Sequence, residues 1–188
     1  MISKKLIETD FTLDLVFNAF NEIESIEDDI KEILKKTIDI VNLNNIIIVE
    51  DGSTDGTSER LKELSKKYQI KLNQSKQRRG YSKALIDGIN ASESDFIFFS
   101  DLGGKFDWED ISKLTEYLPE HDFVLGIRVN RRDQIYRQLL TLFYSIYIRI
   151  FYGIKSKDPD SGFRIYKKSL IDNILSQTIQ NKHLLNSE

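Results

Sequence analysis

The stretch Ile46–Thr57, IIIVEDGSTDGT, decides the fold class of this chain. It begins with consecutive β-branched residues, which predict a strand buried on both faces, as in a parallel sheet. The strand stops at two carboxylates, Glu50 and Asp51, and residues able to cap a following helix come next. A second apolar run ends in the same way at Phe99–Asp101. If only one strand ended in carboxylates, solvated acids in a turn would explain them. Two strands that end in this way favour a ligand site at the carboxyl edge of a sheet.

Composition limits the classes of protein that the chain can belong to. Its 188 residues include no cysteine, which excludes a disulfide scaffold and a thiolate metal site and is compatible with a reducing cytoplasm. Residues 1–10 lack a signal peptide, and the longest uncharged apolar stretch, Gln138–Ile148, is short of the roughly 20 residues that span a bilayer. We expect one domain over residues 1–188, truncated at the C-terminus because the chain ends without a cap or a terminal strand.

Charge is distributed unevenly along the chain. Residues 128–168 hold ten Lys or Arg against three acids, whereas residues 1–127 hold sixteen against twenty-five. The basic segment therefore predicts an anionic partner, which could be a phosphate, a membrane surface or nucleic acid.

Strand and helix patterns alternate, which predicts an α/β fold with a mostly parallel central sheet and helices on both faces. The predicted strands are Leu13–Phe20, Ile46–Val49, Ile70–Asn73, Phe96–Ser100 and Phe123–Ile127, with Phe163–Tyr166 pairing at a sheet edge. The predicted helices are Ile23–Ile40, Ser58–Tyr68, Tyr81–Ala91, Trp108–Leu118, Gln134–Tyr152 and Ser169–Gln180.

Six short motifs occur in a fixed order from residue 20 onward. They are Phe20–Glu22, Glu50–Thr57, Arg79–Ala84 with Gly88, Ser100–Asp101 before Phe106–Asp107, Gly126–Arg128 and Asp158–Arg164. Together they resemble the family 2 glycosyltransferases of the GT-A fold, and most closely the polyprenyl-phosphate sugar transferases. The resemblance implies a nucleotide-diphosphate sugar as donor.

The resemblance also implies a set of donor-nucleotide-binding residues, in which an aromatic face stacks on the base and carboxylates accept hydrogen bonds. They are Phe20, Glu22, Glu50, Asp51, Arg79, Gly80 and Lys83. Three of them have simpler explanations, because Phe20 could be core, Glu22 a first-turn acid and Lys83 an exposed helix lysine.

The metal motif departs from the family pattern Asp-x-Asp, which places Mg²⁺ or Mn²⁺ against the leaving diphosphate. The second Asp is replaced by Gly103, and Lys105 follows two residues later. A cation held by Asp101 alone would bind weakly, so a requirement for Mg²⁺ or Mn²⁺ is doubtful. Either Lys105 replaces the cation and acts with Asp101 in catalysis, or Asp107 completes the site, or catalysis has been lost.

The basic segment fits an acceptor phosphate, since arginine binds phosphate oxygens bidentately. The resemblance implies that the acceptor-binding residues are Arg128, Arg131, Arg132, Arg137, Asp160, Ser161 and Arg164. A polyprenyl phosphate would be its own nucleophile, because its oxygen is already ionised. The alternatives are a solvated basic loop and a structural pairing of Arg164 with a buried acid.

Leu139–Phe151, LLTLFYSIYIRIF, is apolar nearly all round. This pattern suits burial in the core, a homodimer interface or half-insertion into a membrane surface.

The expected function is inverting transfer of a sugar from a nucleotide-diphosphate sugar to a polyprenyl phosphate or glycan acceptor. The enzyme would be cytoplasmic, with peripheral contact at the inner face of the cell membrane. The alternative is a catalytically weakened domain that binds nucleotide sugars or a protein partner. Nucleic-acid binding is disfavoured, because the chain is net acidic and lacks an aromatic platform pattern.

Overall fold

The computed structural model describes residues 11–38, 40, 42–103, 106–118, 120–129, 135–153, 156, 158–159 and 161–180. The strands are β1 (Leu13–Ala19), β2 (Leu43–Glu50), β3 (Lys71–Gln74), β4 (Phe96–Asp101), β5 (Phe123–Leu125) and β6 (Arg164–Lys167). The helices are α1 (Ile26–Thr37), α2 (Thr57–Tyr68), α3 (Tyr81–Ala91), α4 (Asp110–Thr115), α5 (Ile135–Tyr152) and α6 (Lys168–Gln180).

The six strands form one sheet in the order β3-β2-β1-β4-β6-β5. The first four are parallel, so the carboxyl ends of β1, β2 and β4 reach the same edge. In the register, Ala19 is level with Glu50, and Asn18 is level with Asp101. The predicted α/β fold with a mostly parallel sheet is confirmed.

Helices cover both faces of the sheet, because successive strand residues point to opposite sides. On one face the odd-numbered residues of β1 pack with apolar residues of α1, α2 and α4. On the other face Val16, Ile97 and Phe99 pack with α3 and α6. Gly88 allows α3 to lie close to β1, since a Cβ atom there would be 2.5 Å from Cγ1 of Val16.

The predicted edge position of the last strand is wrong. β6 lies between β4 and β5 and is antiparallel to both. Burial of Ile165 on one face of the sheet and of Tyr166 on the other explains this interior position. The sequence could not specify it, because β6 pairs with strands that lie far from it along the chain.

The apolar side chains of α5 are exposed, so the expectation of core burial is wrong. Phe143 is 66% exposed, Ile150 70% and Phe151 69%, whereas Thr141 and Ser145 are only partly exposed. The helix therefore turns apolar residues outward, away from the described core.

Candidate active site at the carboxyl edge of the sheet

A cavity of about 210 Å³ lies at the carboxyl ends of β1, β2 and β4. It combines three carboxylates with aromatic and arginine side chains. Its lining residues are Asn18, Ala19, Phe20, Glu22, Asp51, Arg78, Tyr81, Ala84, Asp101 and Leu102. Four of the residues predicted from the sequence, Phe20, Glu22, Asp51 and Asp101, thus meet around one cavity.

Asp51 fixes the wall of the cavity that leads into α3. Its Oδ1 accepts a hydrogen bond from the backbone N–H of Arg79 at 2.7 Å, and its Oδ2 accepts one from Gly80 at 3.1 Å. The chain approaches closely here, since a Cβ atom on Gly52 would lie 2.5 Å from the backbone nitrogen of Arg78. The buried Asp51 therefore positions this wall as well as lining the cavity.

Arg78 supplies a positive charge to the cavity. The sequence predicted Arg79 in this role and did not single out Arg78. Its guanidinium lies 4.3 Å from the centroid of the Phe20 ring. The predicted cation, Arg79, points elsewhere: Nη1 donates to Asp87 at 2.5 Å and Nη2 to the carbonyl of Glu50 at 3.2 Å. The two arginines are consecutive in the sequence, which alone does not indicate which of them faces the cavity.

Glu50 and Lys83 do not line the cavity. The carboxylate of Glu50 is fully buried and accepts hydrogen bonds from the Ser53 N–H at 2.5 Å and the Ser58 hydroxyl at 3.0 Å. It therefore holds the turn between β2 and α2. Lys83 is exposed on α3. A donor-binding role for these two residues stays a prediction.

Tyr81, the first residue of α3, and Asp101 also line the cavity. Burial raises the pKa of Tyr81 to about 12, and the charge of Asp101 acts in the same direction. A tyrosine phenol is protonated at neutral pH even without this shift, so Tyr81 can donate a hydrogen bond. Arg164 stands nearby, with its guanidinium 5.7 Å from the ring centroid of Phe99 and 5.6 Å from that of Tyr166.

Glu22 occupies the space in which the missing motif residue would begin. A Cβ atom on Gly103 would lie 2.7 and 2.8 Å from the two carboxylate oxygens of Glu22. Gly103 also has a φ of +117°, which disfavours any side chain. Glu22 and Asp101 thus bring two carboxylates to one cavity, although the described residues contain no group of three potential metal ligands.

Carboxylate oxygens such as those of Glu22 and Asp101 are the ligands that a divalent cation like Mg²⁺ prefers. Mg²⁺ is commonly held by one or two carboxylates together with substrate phosphates. Asp107 is exposed, and its Oδ1 accepts the backbone N–H of Glu109 at 3.0 Å, so it does not line the cavity. Lys105 lies outside the described residues, and its predicted role stays a prediction.

The predicted acceptor residues are only partly described. Arg128 forms a bidentate pair with the buried Asp158, with Nε to Oδ2 at 2.8 Å and Nη2 to Oδ1 at 2.7 Å. Ser161 is fully buried, and its hydroxyl accepts the N–H of Phe163 at 3.4 Å. The structural ion pair of this loop is therefore formed by Arg128 rather than by Arg164. Arg131, Arg132, Asp160 and the side chain of Arg137 lie outside the described residues.

Comparison with known proteins identifies the family. Residues 14–175 match the model described as Glycosyl transferase family 2. The chain belongs to glycosyltransferase family 2. This membership, predicted from the six motifs, is confirmed.

Individual relatives extend the comparison. The chain is 30% identical to an uncharacterized protein of Methanocaldococcus jannaschii, over 83% of this chain and 72% of that protein. It is 29% identical to a dolichol-phosphate mannosyltransferase of Pyrococcus furiosus, over 86% of this chain and 48% of that enzyme. The glycosyltransferase chain thus spans about half the length of this named relative.

A solved structure supports the fold. The mannosyltransferase PcManGT from Pyrobaculum calidifontis, in complex with GDP-Man and Mn²⁺, matches with a TM-score of 0.66 at 15% identity. The match covers 89% of this chain and 47% of that one. The predicted GT-A fold is confirmed. Within the part of the chain that the structure describes, no helix is long and apolar enough to span a bilayer.

Proposed function

We propose that this family 2 glycosyltransferase transfers a sugar from a nucleoside diphosphate sugar to the phosphate of a polyprenyl lipid, with inversion. The observation that carries the proposal is the cavity at the carboxyl edge of β1, β2 and β4, lined by Glu22, Asp51 and Asp101. Open α/β sheets bind their ligands at this edge. The name of the Pyrococcus furiosus relative, a dolichol-phosphate mannosyltransferase, supports a lipid phosphate as acceptor.

The donor would lie in this cavity. Phe20 and Arg78 offer a flat aromatic and cationic surface to a base, and Arg78 also carries the positive charge that a diphosphate needs. Tyr81 offers a hydrogen-bond donor at the start of α3. Asp101 and Glu22 would hold a divalent cation, which when bound would neutralise charge on the diphosphate leaving group.

The reaction requires one nucleophilic displacement. An ionised oxygen of the lipid phosphate forms a bond to the anomeric carbon as the bond from that carbon to the diphosphate oxygen breaks. The nucleoside diphosphate leaves with the electron pair, and attack from the opposite face inverts the anomeric centre. No general base is needed, because the attacking oxygen carries no proton at neutral pH.

Calorimetric titration with UDP, GDP, CDP and ADP, with and without Mn²⁺, tests the donor site. We expect one of them to bind, and Asp101→Asn to weaken its binding in the presence of Mn²⁺ about tenfold or more, since one of the two carboxylates that would hold the cation loses its charge. Asp107→Asn is the matched control, because Asp107 lies outside the cavity. Failure of all four nucleotides to bind would overturn the proposed function.

The surface of α5 supports the proposal that the acceptor is a lipid in a membrane. Gln138, Thr141, Ser145 and Arg149 recur at helical spacing and form one polar stripe, and the other faces are apolar. Residues 134–157 contain four basic residues and no acid. An apolar helix face with cationic residues and several tyrosines suits a membrane surface with anionic lipids.

A symmetric dimer through α5 would bring like charges together, which disfavours a second copy. The protein would then lie on the cytoplasmic face of the cell membrane.

Sedimentation with phosphatidylglycerol vesicles tests this surface. We expect the double variant Phe143→Ser, Ile150→Ser to bind vesicles at least about tenfold more weakly than the unmodified chain, because two exposed apolar side chains are removed. The double variant Ile38→Ser, Tyr117→Ser is the control, since both residues are exposed away from α5. Equal binding by the two double variants would refute a membrane contact through α5.

A second candidate function is nucleotide-sugar binding without transfer. It is favoured by Gly103, which removes one carboxylate from the motif. Incubation of the full chain with the nucleotide sugar whose diphosphate binds and with a polyprenyl phosphate separates the candidates. Formation of glycosylated lipid supports the transferase, and binding without product supports the binding module.

A further inference from the structure

Asn18 is a buried polar residue in the apolar strand β1. It is 9% exposed and lines the cavity beside Ala19 and Ala84. Its Cα is level with Val49 of β2 and Asp101 of β4, so Asn18 lies at the centre of the carboxyl edge. Neither the motifs nor the resemblance singled it out.

The carboxamide of Asn18 has no hydrogen-bond partner among the described residues. Both Nδ2 and Oδ1 are shielded from solvent and unpaired. Burial of an unpaired amide is unfavourable, and the great majority of buried polar side-chain atoms have a partner. Four other described residues, Ser25, Arg79, Trp108 and Arg164, each have one such unpaired atom, and only Asn18 among the described residues has two. The carboxamide of Asn18 therefore lies at the candidate site with neither Nδ2 nor Oδ1 hydrogen-bonded to a described residue.

We infer that the side chain of Asn18 turns into the cavity when the donor binds and hydrogen-bonds the nucleoside part of it. The inference rests on the proposed function and names a residue that determines which nucleoside is accepted. An amide presents a donor and an acceptor side by side, as the edge of a nucleobase does, and it also pairs with ribose hydroxyls.

The surroundings favour the nucleoside over the diphosphate. Asn18 is uncharged, and the cavity around it is lined by the apolar Ala19, Ala84 and Leu102 and by Asp101, whose negative charge repels a diphosphate unless a cation lies between them. A diphosphate needs cationic partners, which Asn18 is not, and the ring of Phe20, on which the base would stack, lines the same cavity. A neutral, flat and polar group is the better complement of an amide set among small apolar side chains.

Two substitutions test the inference. Asn18→Leu keeps the approximate volume of the side chain and removes both polar atoms, and Asn18→Ala requires no new space. Asn90→Leu on α3 is the control, because Asn90 is exposed. Calorimetry measures the affinity for UDP, GDP, CDP, ADP and inorganic pyrophosphate, and thermal unfolding measures the stability of the ligand-free protein.

We expect Asn18→Leu to weaken binding of the preferred nucleoside diphosphate about 3- to 10-fold, with pyrophosphate unaffected. The ligand-free protein should unfold at the same temperature or higher, since an unpaired amide is removed. A loss confined to one base would assign the contact to the base, and an equal loss for all four nucleotides would assign it to the ribose.

Unchanged nucleotide affinity in both Asn18 variants would overturn this inference and leave the proposed function intact. Equal losses for nucleotides and pyrophosphate, together with a lower unfolding temperature for Asn18→Leu, would also overturn it, because Asn18 would then be structural. Failure of the unmodified protein to bind any nucleoside diphosphate would overturn the proposed function, and this inference with it.

Discussion

Gly52 and Gly153 share a left-handed backbone but differ in their surroundings. Their φ angles are +73° and +70°, but a Cβ atom on Gly52 would lie 2.5 Å from backbone atoms of Gln77 and Arg78, whereas one on Gly153 would meet nothing within 4 Å. Gly153→Ala should lower the free energy of unfolding by about 1 kcal/mol, through backbone conformation alone.

Gly52→Ala should cost about 3 kcal/mol, because it adds a clash with backbone that cannot rotate away. It should also weaken nucleotide binding, since the N–H groups held by Asp51 would shift. Urea denaturation of the two variants measures the difference. Equal losses would show that the chain at residues 77–78 moves aside easily.

The carboxylate of Glu22 provides a test of the metal site. If Glu22 and Asp101 hold the cation, Glu22→Gln should reduce the enhancement of nucleotide affinity by Mn²⁺ about tenfold or more. Glu24→Gln is the matched control on the exposed side of the same turn.

Restoring the family motif should fail unless Glu22 is also shortened. Gly103→Asp would displace the carboxylate of Glu22, whereas the double variant Glu22→Ala, Gly103→Asp frees that space and leaves only the backbone strain of the positive φ. Mn²⁺ titrations followed by calorimetry distinguish the variants. Full Mn²⁺ enhancement in Glu22→Gln would mean that Glu22 does not contact the cation, and the alternative in which Lys105 replaces the cation would regain support.

At the scale of elements, one ion pair joins α1 to α2. The hydrogen bond from Arg60, followed by that from Lys31, lowers the pKa of Glu27 from 4.5 to about 2. The carboxylate therefore binds a proton less readily in the folded chain than in the unfolded chain. Its contribution to stability is complete above about pH 4.5 and is lost as the pH falls toward about 2.

We expect Glu27→Gln to flatten the dependence of the urea midpoint on pH between about 4.5 and 2. Glu59→Gln, at an exposed position of α2, should leave that dependence unchanged. Parallel pH profiles for Glu27→Gln and the unmodified chain would show that this ion pair does not contribute to acid stability.

The elements themselves could be predicted closely from the sequence. α3 begins and ends at the predicted residues, because a glycine precedes Tyr81 and its apolar positions recur at helical spacing. α1 begins three residues late, since Asn21 adopts a φ of +56° and Glu22–Ser25 forms a turn before the helix. Local preference for a turn prevailed there over the apolar pattern.

At the scale of the whole molecule, strand order brings the candidate site together. Parallel strands and the carboxylates at their ends predicted that Asp51 and Asp101 would lie at one edge of the sheet, and the family resemblance added Glu22 to them. The sequence could not indicate that Arg78 rather than Arg79 faces the cavity, or that Arg128 is paired with Asp158. Those choices depend on contacts between distant segments, which local patterns do not contain.

The exposed apolar face of α5 has a consequence for kinetics. A protein held on a bilayer by that face would meet its acceptor by lateral diffusion in two dimensions. The transfer rate would then follow the mole fraction of polyprenyl phosphate in the bilayer, and dilution of the vesicles in buffer would leave it unchanged while the protein stays bound. Detergent that disperses the lipid would return the encounter to three dimensions and slow the reaction.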